Sequence, residues 1–140
     1  MAPLGRRGRD PARLAMLERA RDRLDRLGSY PEPVRIDHVR LLVVTWVFRM
    51  PWYRRFDGYS IWHLILLRDR ALVRDEDLIV HELCHVWQQQ HGWIRMWLSY
   101  LVHGYGDNPY EREARWAAAS TRAPAHPDIS QARSSSPLSP

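Results

Sequence analysis

The stretch Leu78-Ile79-Val80-His81-Glu82-Leu83-Cys84-His85-Val86-Trp87 constrains this chain more than any other. Apolar residues at 78, 79, 83 and 86 recur at helical spacing around two histidines four positions apart. Asp75 or Asp77 can cap a helix that starts near Glu76, and Gly92 can end it after His91. On such a helix His81 and His85 fall one turn apart on the same face, so both rings reach one point in space. The leucine and valine positions need another layer to pack against. The chain must therefore fold around this helix rather than merely carry it.

Two imidazoles at this spacing can bind one zinc ion at the usual ~2.0–2.1 Å. Glu82 points to a neighbouring sector, where a carboxylate can accept a proton from a water on that ion. This is the logic of a His-Glu-x-x-His segment: two ligands and a general base. A catalytic zinc also needs a third protein ligand and an open position. Three residues are candidates: Glu111 and Glu113, downstream of Asn108-Pro109, and His91. His91 lies six positions past His85, which on an unbroken helix is about 600° of rotation, so its ring faces away. Cys84 is rotated about 100° from either motif histidine and reads as a small buried hydrophobe. His63 reads as a satisfied core or surface histidine.

The rest of the chain reads as one α+β domain over residues 11–122, preceded by a flexible basic tail at 1–10 and followed by a disordered tail at 123–140. Pro11 to Leu27 has leucines at helical spacing, with Asp10-Pro11 as cap and first position and Gly28 as stop. Tyr30-Pro31-Glu32-Pro33 cannot continue a helix. Val34 to Phe48, rich in Val, Leu and Ile, is expected as a strand. Met50 to Phe56 is expected as loop, Asp57-Gly58 as a turn, and Tyr59 to Leu67 as a second strand. A short connection over Asp69 to Arg74 leads to the motif helix. Trp93 to His103 reads as a further apolar helix, whose stripe of Trp93, Met96, Trp97, Tyr100 and Leu101 is expected to pack in the core. Asn108-Pro109 starts a last helix from Tyr110 to about Arg122.

Composition narrows the function classes. Apolar residues are 45% of 140, enough for a packed core. A single cysteine rules out an intramolecular disulfide and argues against a secreted disulfide scaffold. The longest apolar stretch, about Val39 to Phe48, is half the ~20 residues that a membrane-spanning helix needs, and it contains Arg40. Met1 to Asp10 lacks an apolar signal core. A soluble, cytoplasmic protein is the expectation. The formal net charge is +5 and all 21 basic residues are arginine. They are spread along the chain and reflect GC-rich coding more than a dedicated anion site, so a nucleic-acid partner is only weakly signalled.

The motif and the downstream Glu111-Arg112-Glu113-Ala114 resemble a zincin of the gluzincin type, over roughly Asp57 to Ala118. The stretch from His81 to Gln89 is also similar to small bacterial zincin domains. In gluzincins the third ligand is a Glu from a later helix, in several branches within a Glu-x-x-Ala pattern, which implies Glu111 here. Arg115 departs from the acidic or amide residue that this pattern carries next. The metzincin pattern would use His91, but Gln88 stands where its glycine breaks the helix. The resemblance implies a minimal zincin-like fold, with a small sheet packed on the motif helix and an edge strand, Tyr59 to Leu67, that pairs with extended substrate. It also implies an oxyanion-stabilising Tyr or His near the metal, for which Tyr105 and His103 are candidates. The function expected is a zinc metallopeptidase acting on a peptide or protein, with His81, His85 and Glu111 on the metal and Glu82 and Tyr105 catalytic. The alternative is a zinc-binding but non-catalytic adaptor or nucleic-acid-associated module.

Overall fold

Helix α1, Pro11–Asp25, starts where Asp10 accepts a hydrogen bond from the Ala12 amide and Pro11 takes the first turn. The computed structural model describes residues 10–122, so the expected tail at 123–140 and all but Asp10 of the expected tail at 1–10 lie outside the described residues. Within that range the order is α1, β1 (Arg40–Val43), β2 (Gly58–Ile61), β3 (Leu64–Leu67), α2 (Glu76–His103) and α3 (Pro109–Ser120), with short 3-10 turns at Val47–Arg49 and Arg70–Arg74. This is a small α+β fold. No described helix is long and apolar enough to cross a membrane.

The sheet runs β1-β3-β2. Strand β3 pairs in parallel with β1 and antiparallel with β2, with Leu41 opposite Ile65 and Ser60 opposite Ile65 from the other side. Leu41, Ile65 and Leu67 share the buried face, as period-2 alternation requires. That face packs with Leu17, Ala20 and Leu24 of α1, with Ile79, Val80, Leu83 and Val86 of α2, and with Ala114, Ala117 and Ala118 of α3. The alanines of α3 let its backbone lie close to the motif helix.

Two strand expectations need correction. Only Arg40–Val43 of the Val34–Phe48 stretch pairs as strand. Val34, Ile36 and Val39 are buried by loop packing under α2, where the Trp87 indole N–H donates to the Glu32 carbonyl at 2.8 Å. The Gln90 amide also bonds both backbone groups of Arg35. Those side chains pair the Glu32 carbonyl and both backbone groups of Arg35 in place of ladder bonds. The Tyr59–Leu67 strand is instead a hairpin. Its turn is Trp62-His63, and Trp62 holds a positive φ of 54°. Gly58 opens β2 rather than closing a turn.

At the helix starts, Asp75 accepts from the Leu78 amide and Asn108 from the Tyr110 amide. The motif helix breaks at Gly92, as expected, and a second helical segment of α2 follows it. The backbone leaves helical angles at that one residue and α2 then continues to His103, where Gly104 (φ 68°) closes it. Arg23 of α1 ties the helices together. Its guanidinium reaches Glu76 and Asp77 at the start of α2 and the Ala118 carbonyl and Thr121 hydroxyl at the end of α3.

Candidate metal centre

Helices α2 and α3 bring three donors to one point. Nε2 of His81 and Nε2 of His85 are 3.2 Å apart. Glu111 places one carboxylate oxygen 3.2 Å from His81 and the other 3.0 Å from His85. His85 and Glu111 are buried, and His81 sits at the rim. These three form the one such group among the described residues that could hold a metal ion.

The hydrogen bonds around the group test whether a cation belongs there. The buried Gln88 amide donates through Nε2 to the Tyr110 carbonyl at 3.0 Å, which fixes its oxygen toward His85. That oxygen lies 2.8 Å from His85 Nδ1, so Nδ1 carries the proton. The Nε2 lone pair of a neutral His85 then faces both a carboxylate oxygen and a second imidazole nitrogen. Three lone-pair donors converging in a buried place repel one another unless a proton or a metal ion sits among them. Their 3.0–3.2 Å separations are close to the ~3.3 Å edge of a tetrahedron with ~2.0–2.1 Å bonds. The donor set fits a metal ion.

The charges follow from the same geometry. Burial alone would raise the Glu111 carboxyl, but hydrogen bonds and charge from His81 and His85 hold it well below the usual carboxylate range. Burial lowers His85, yet Glu111 and Glu82 outweigh it and raise the imidazole. Glu82 is pushed upward by burial, more than His85 and His81 pull it down. Ser60 of β2 donates a hydrogen bond to this carboxylate. Gly58 leaves room beside it: a β-carbon there would lie 3.1 Å from Glu82 Oε1 and 3.2 Å from its Cγ, so the Glu82 side chain would have to shift to admit it.

Two tyrosines close over Glu111. Tyr100 donates to Oε1 at 2.9 Å, and Tyr105 also hydrogen-bonds this carboxylate. Burial and then the Glu111 charge raise both phenols, so both stay protonated donors. Arg55 lies over the Phe56 and Tyr105 rings. A cleft of about 210 Å³ opens beside the group, lined by Gly58–Trp62 on one side and by Trp93, Met96, Trp97 and Tyr100 on the other.

The structure thus brings His81, Glu82, His85, Glu111 and Tyr105 into one place. His91 stacks on Tyr30 with ring centroids 4.8 Å apart, away from the group. Glu113 accepts from the Tyr30 hydroxyl and from Gln88, so it supports the group from outside. His103 is exposed and contacts the Ser99 carbonyl. His63 is exposed at the hairpin tip, and Cys84 is buried, its thiol raised by that burial. Sequence reasoning missed Gln88, Tyr100 and Ser60. Gln88 had a usable signal: it lies three positions past His85, on the face that its ring occupies. No family model, no curated protein and no solved structure matches this chain.

Proposed function

We propose that this chain is a zinc-dependent metallopeptidase that hydrolyses peptide bonds in an extended substrate. The observation that carries the reading is the convergence of three lone-pair donors beside a buried carboxylate that burial has made more basic. His81, His85 and Glu111 would hold the ion, which when bound makes a water nucleophilic at neutral pH and polarises a carbonyl. Glu82 accepts the proton from the attacking water and returns it to the leaving amine, a role suited to a carboxyl whose proton affinity has been raised. The Ser60 hydroxyl holds that carboxylate in the space that Gly58 leaves. Tyr105 and Tyr100, at the mouth of the cleft, offer phenolic protons to a developing oxyanion.

Strand β2 supplies the platform for substrate. The Arg68 amide donates to the Asp57 carbonyl at 2.9 Å, so by antiparallel alternation Tyr59 and Ile61 bond to β3. The backbone groups of Gly58 and Ser60 then face the open edge, ready to pair with an extended chain. Arg115, which departs from the gluzincin pattern, donates to the Gly106 carbonyl instead. The support that orients His85 comes from Gln88 on the motif helix itself.

Metal content and cleavage of an unfolded protein test the reading together. Wild type should purify with about one zinc per chain, His85→Ala should lose it, and Glu82→Gln should keep it while cleavage falls about 10²–10⁴-fold. Zinc bound by wild type without cleavage of any unfolded protein would point instead to a metal-binding adaptor.

A further inference from the structure

Beyond Gly92, α2 turns its apolar side outward. Trp93, Ile94, Trp97, Leu98, Leu101 and Val102 recur at spacings of one, three and four, so they share one helix face. All six are exposed, Leu101 and Val102 at 77% and 76%. Trp62 joins them from the hairpin tip, 57% exposed, with its ring 5.5 Å from that of Trp93. It is held there in a left-handed backbone conformation that a bulky side chain rarely adopts. Scattered exposed apolar residues are ordinary, but a contiguous patch of this kind marks an interaction surface.

The charges beside the patch are basic. Arg95 is exposed on the same helical segment, and Arg35 and Arg40 line the hollow that Trp62 and His63 share, with Asp37 as its one acid. None of these three arginines has a carboxylate partner among the described residues. A second copy of the chain seated on the patch would bring the same unpaired arginines to the same rim. A surface of lipid phosphates supplies the opposite charge. We infer that this face docks the protein on an anionic lipid bilayer, with the second half of α2 lying in the interface plane. Tryptophan suits that boundary, and arginine suits the headgroups above it. No described helix can span a bilayer, so the contact is peripheral. Trp62, Trp93 and Trp97 belong both to the patch and to the cleft lining, so docking sets the mouth of the cleft against the membrane surface.

Co-sedimentation of the full chain with lipid vesicles tests this. The chain should bind vesicles of phosphatidylcholine mixed with phosphatidylglycerol and bind phosphatidylcholine alone far more weakly. The double substitution Leu101→Ser/Val102→Ser, on side chains that touch little else, should weaken binding about tenfold or more. Arg95→Glu should weaken it several-fold, and Trp116→Ala, an exposed tryptophan on α3, should leave it unchanged. Brominated lipid should also quench the tryptophan emission of wild type, a readout that needs no variant. Absence of binding and quenching with either vesicle, equal binding to both, or binding that survives the double substitution would overturn the inference. So would self-association that the double substitution abolishes in a chain that ignores vesicles, since the occupant would then be a second copy.

Discussion

The two halves of α2 are built from similar amounts of apolar side chain and do opposite things with it. Before Gly92, Ile79, Val80, Leu83, Val86 and Trp87 are buried, and so are the polar Glu82, His85 and Gln88 among them. After Gly92 only Met96 is buried, while two tryptophans, two leucines, an isoleucine and a valine face outward. The first half lies between the sheet, α1 and α3, and every buried polar group there has a partner. The second half has a neighbour on one side only. Hydrophobicity alone therefore does not say which half is core. The number of layers that reach a segment decides it, and the break at Gly92 is where those layers end.

The comparison can be broken most directly by the same substitution on both sides of the break. Leu83→Ala removes a fully buried side chain from the centre of the core and should cost about 2–5 kcal/mol. Leu98→Ala should change stability by no more than about 0.5 kcal/mol in the absence of lipid. Urea unfolding followed by circular dichroism measures both. Comparable losses would mean that the second half packs against something in solution, and the contrast between the halves would fall.

Much of this was readable in the residues, and the parts that were not share a cause. The caps at Asp10, Asp75 and Asn108 and the paired rings of His81 and His85 are local, set by side chains within one turn of the backbone they act on. So is the conflict between Gln88 and a helix break. The aromatic stripe of Trp93 to Leu101 misled, because periodicity shows that a face exists and not whether another layer covers it. Val34 to Phe48 has strand composition, yet only Arg40–Val43 pairs, and the loop before it is tied by Trp87 to Glu32 and by Gln90 to Arg35, each from 55 positions away. The Trp62-His63 turn lacks the Gly or Asn that marks a tight hairpin, so one strand could not be told from two. Tyr100 reaches Glu111 only because α3 folds back beside α2, and sequence spacing carries no trace of that return.

The polar network of the first half sharpens the comparison next. Gln88→Ala should leave His85 Nδ1 without its acceptor and remove the side-chain donor to the Tyr110 carbonyl. Zinc affinity, read by competition with a chromogenic chelator, should fall about 10–100-fold. The fold itself should lose about 1–3 kcal/mol from the buried groups left unpaired. Gln88→Glu keeps an acceptor at the same reach and should recover more of the affinity than of the stability. Unchanged zinc affinity in Gln88→Ala would mean that the ring of His85 is held by packing alone.

The smallest effect comes from the start of α2, where the buried half is anchored to α1. Burial pushes the Asp77 carboxyl up, but hydrogen bonds from Arg23 and Arg122 override this and hold it below its ordinary value of 3.8. Its folded value thus lies beneath its unfolded one. Its contribution to stability is fully present above the ordinary carboxylate range and is lost as pH falls through the depressed folded value. The Asp77 side chain is 34% exposed, so after solvent screening the contribution is about 1 kcal/mol or less. Asp77→Asn should lower the unfolding midpoint at neutral pH by that small amount and flatten the acid side of the stability profile below pH ~4. At the lowest pH, wild type and variant should converge. An unchanged acid limb would assign the acid sensitivity to other carboxylates.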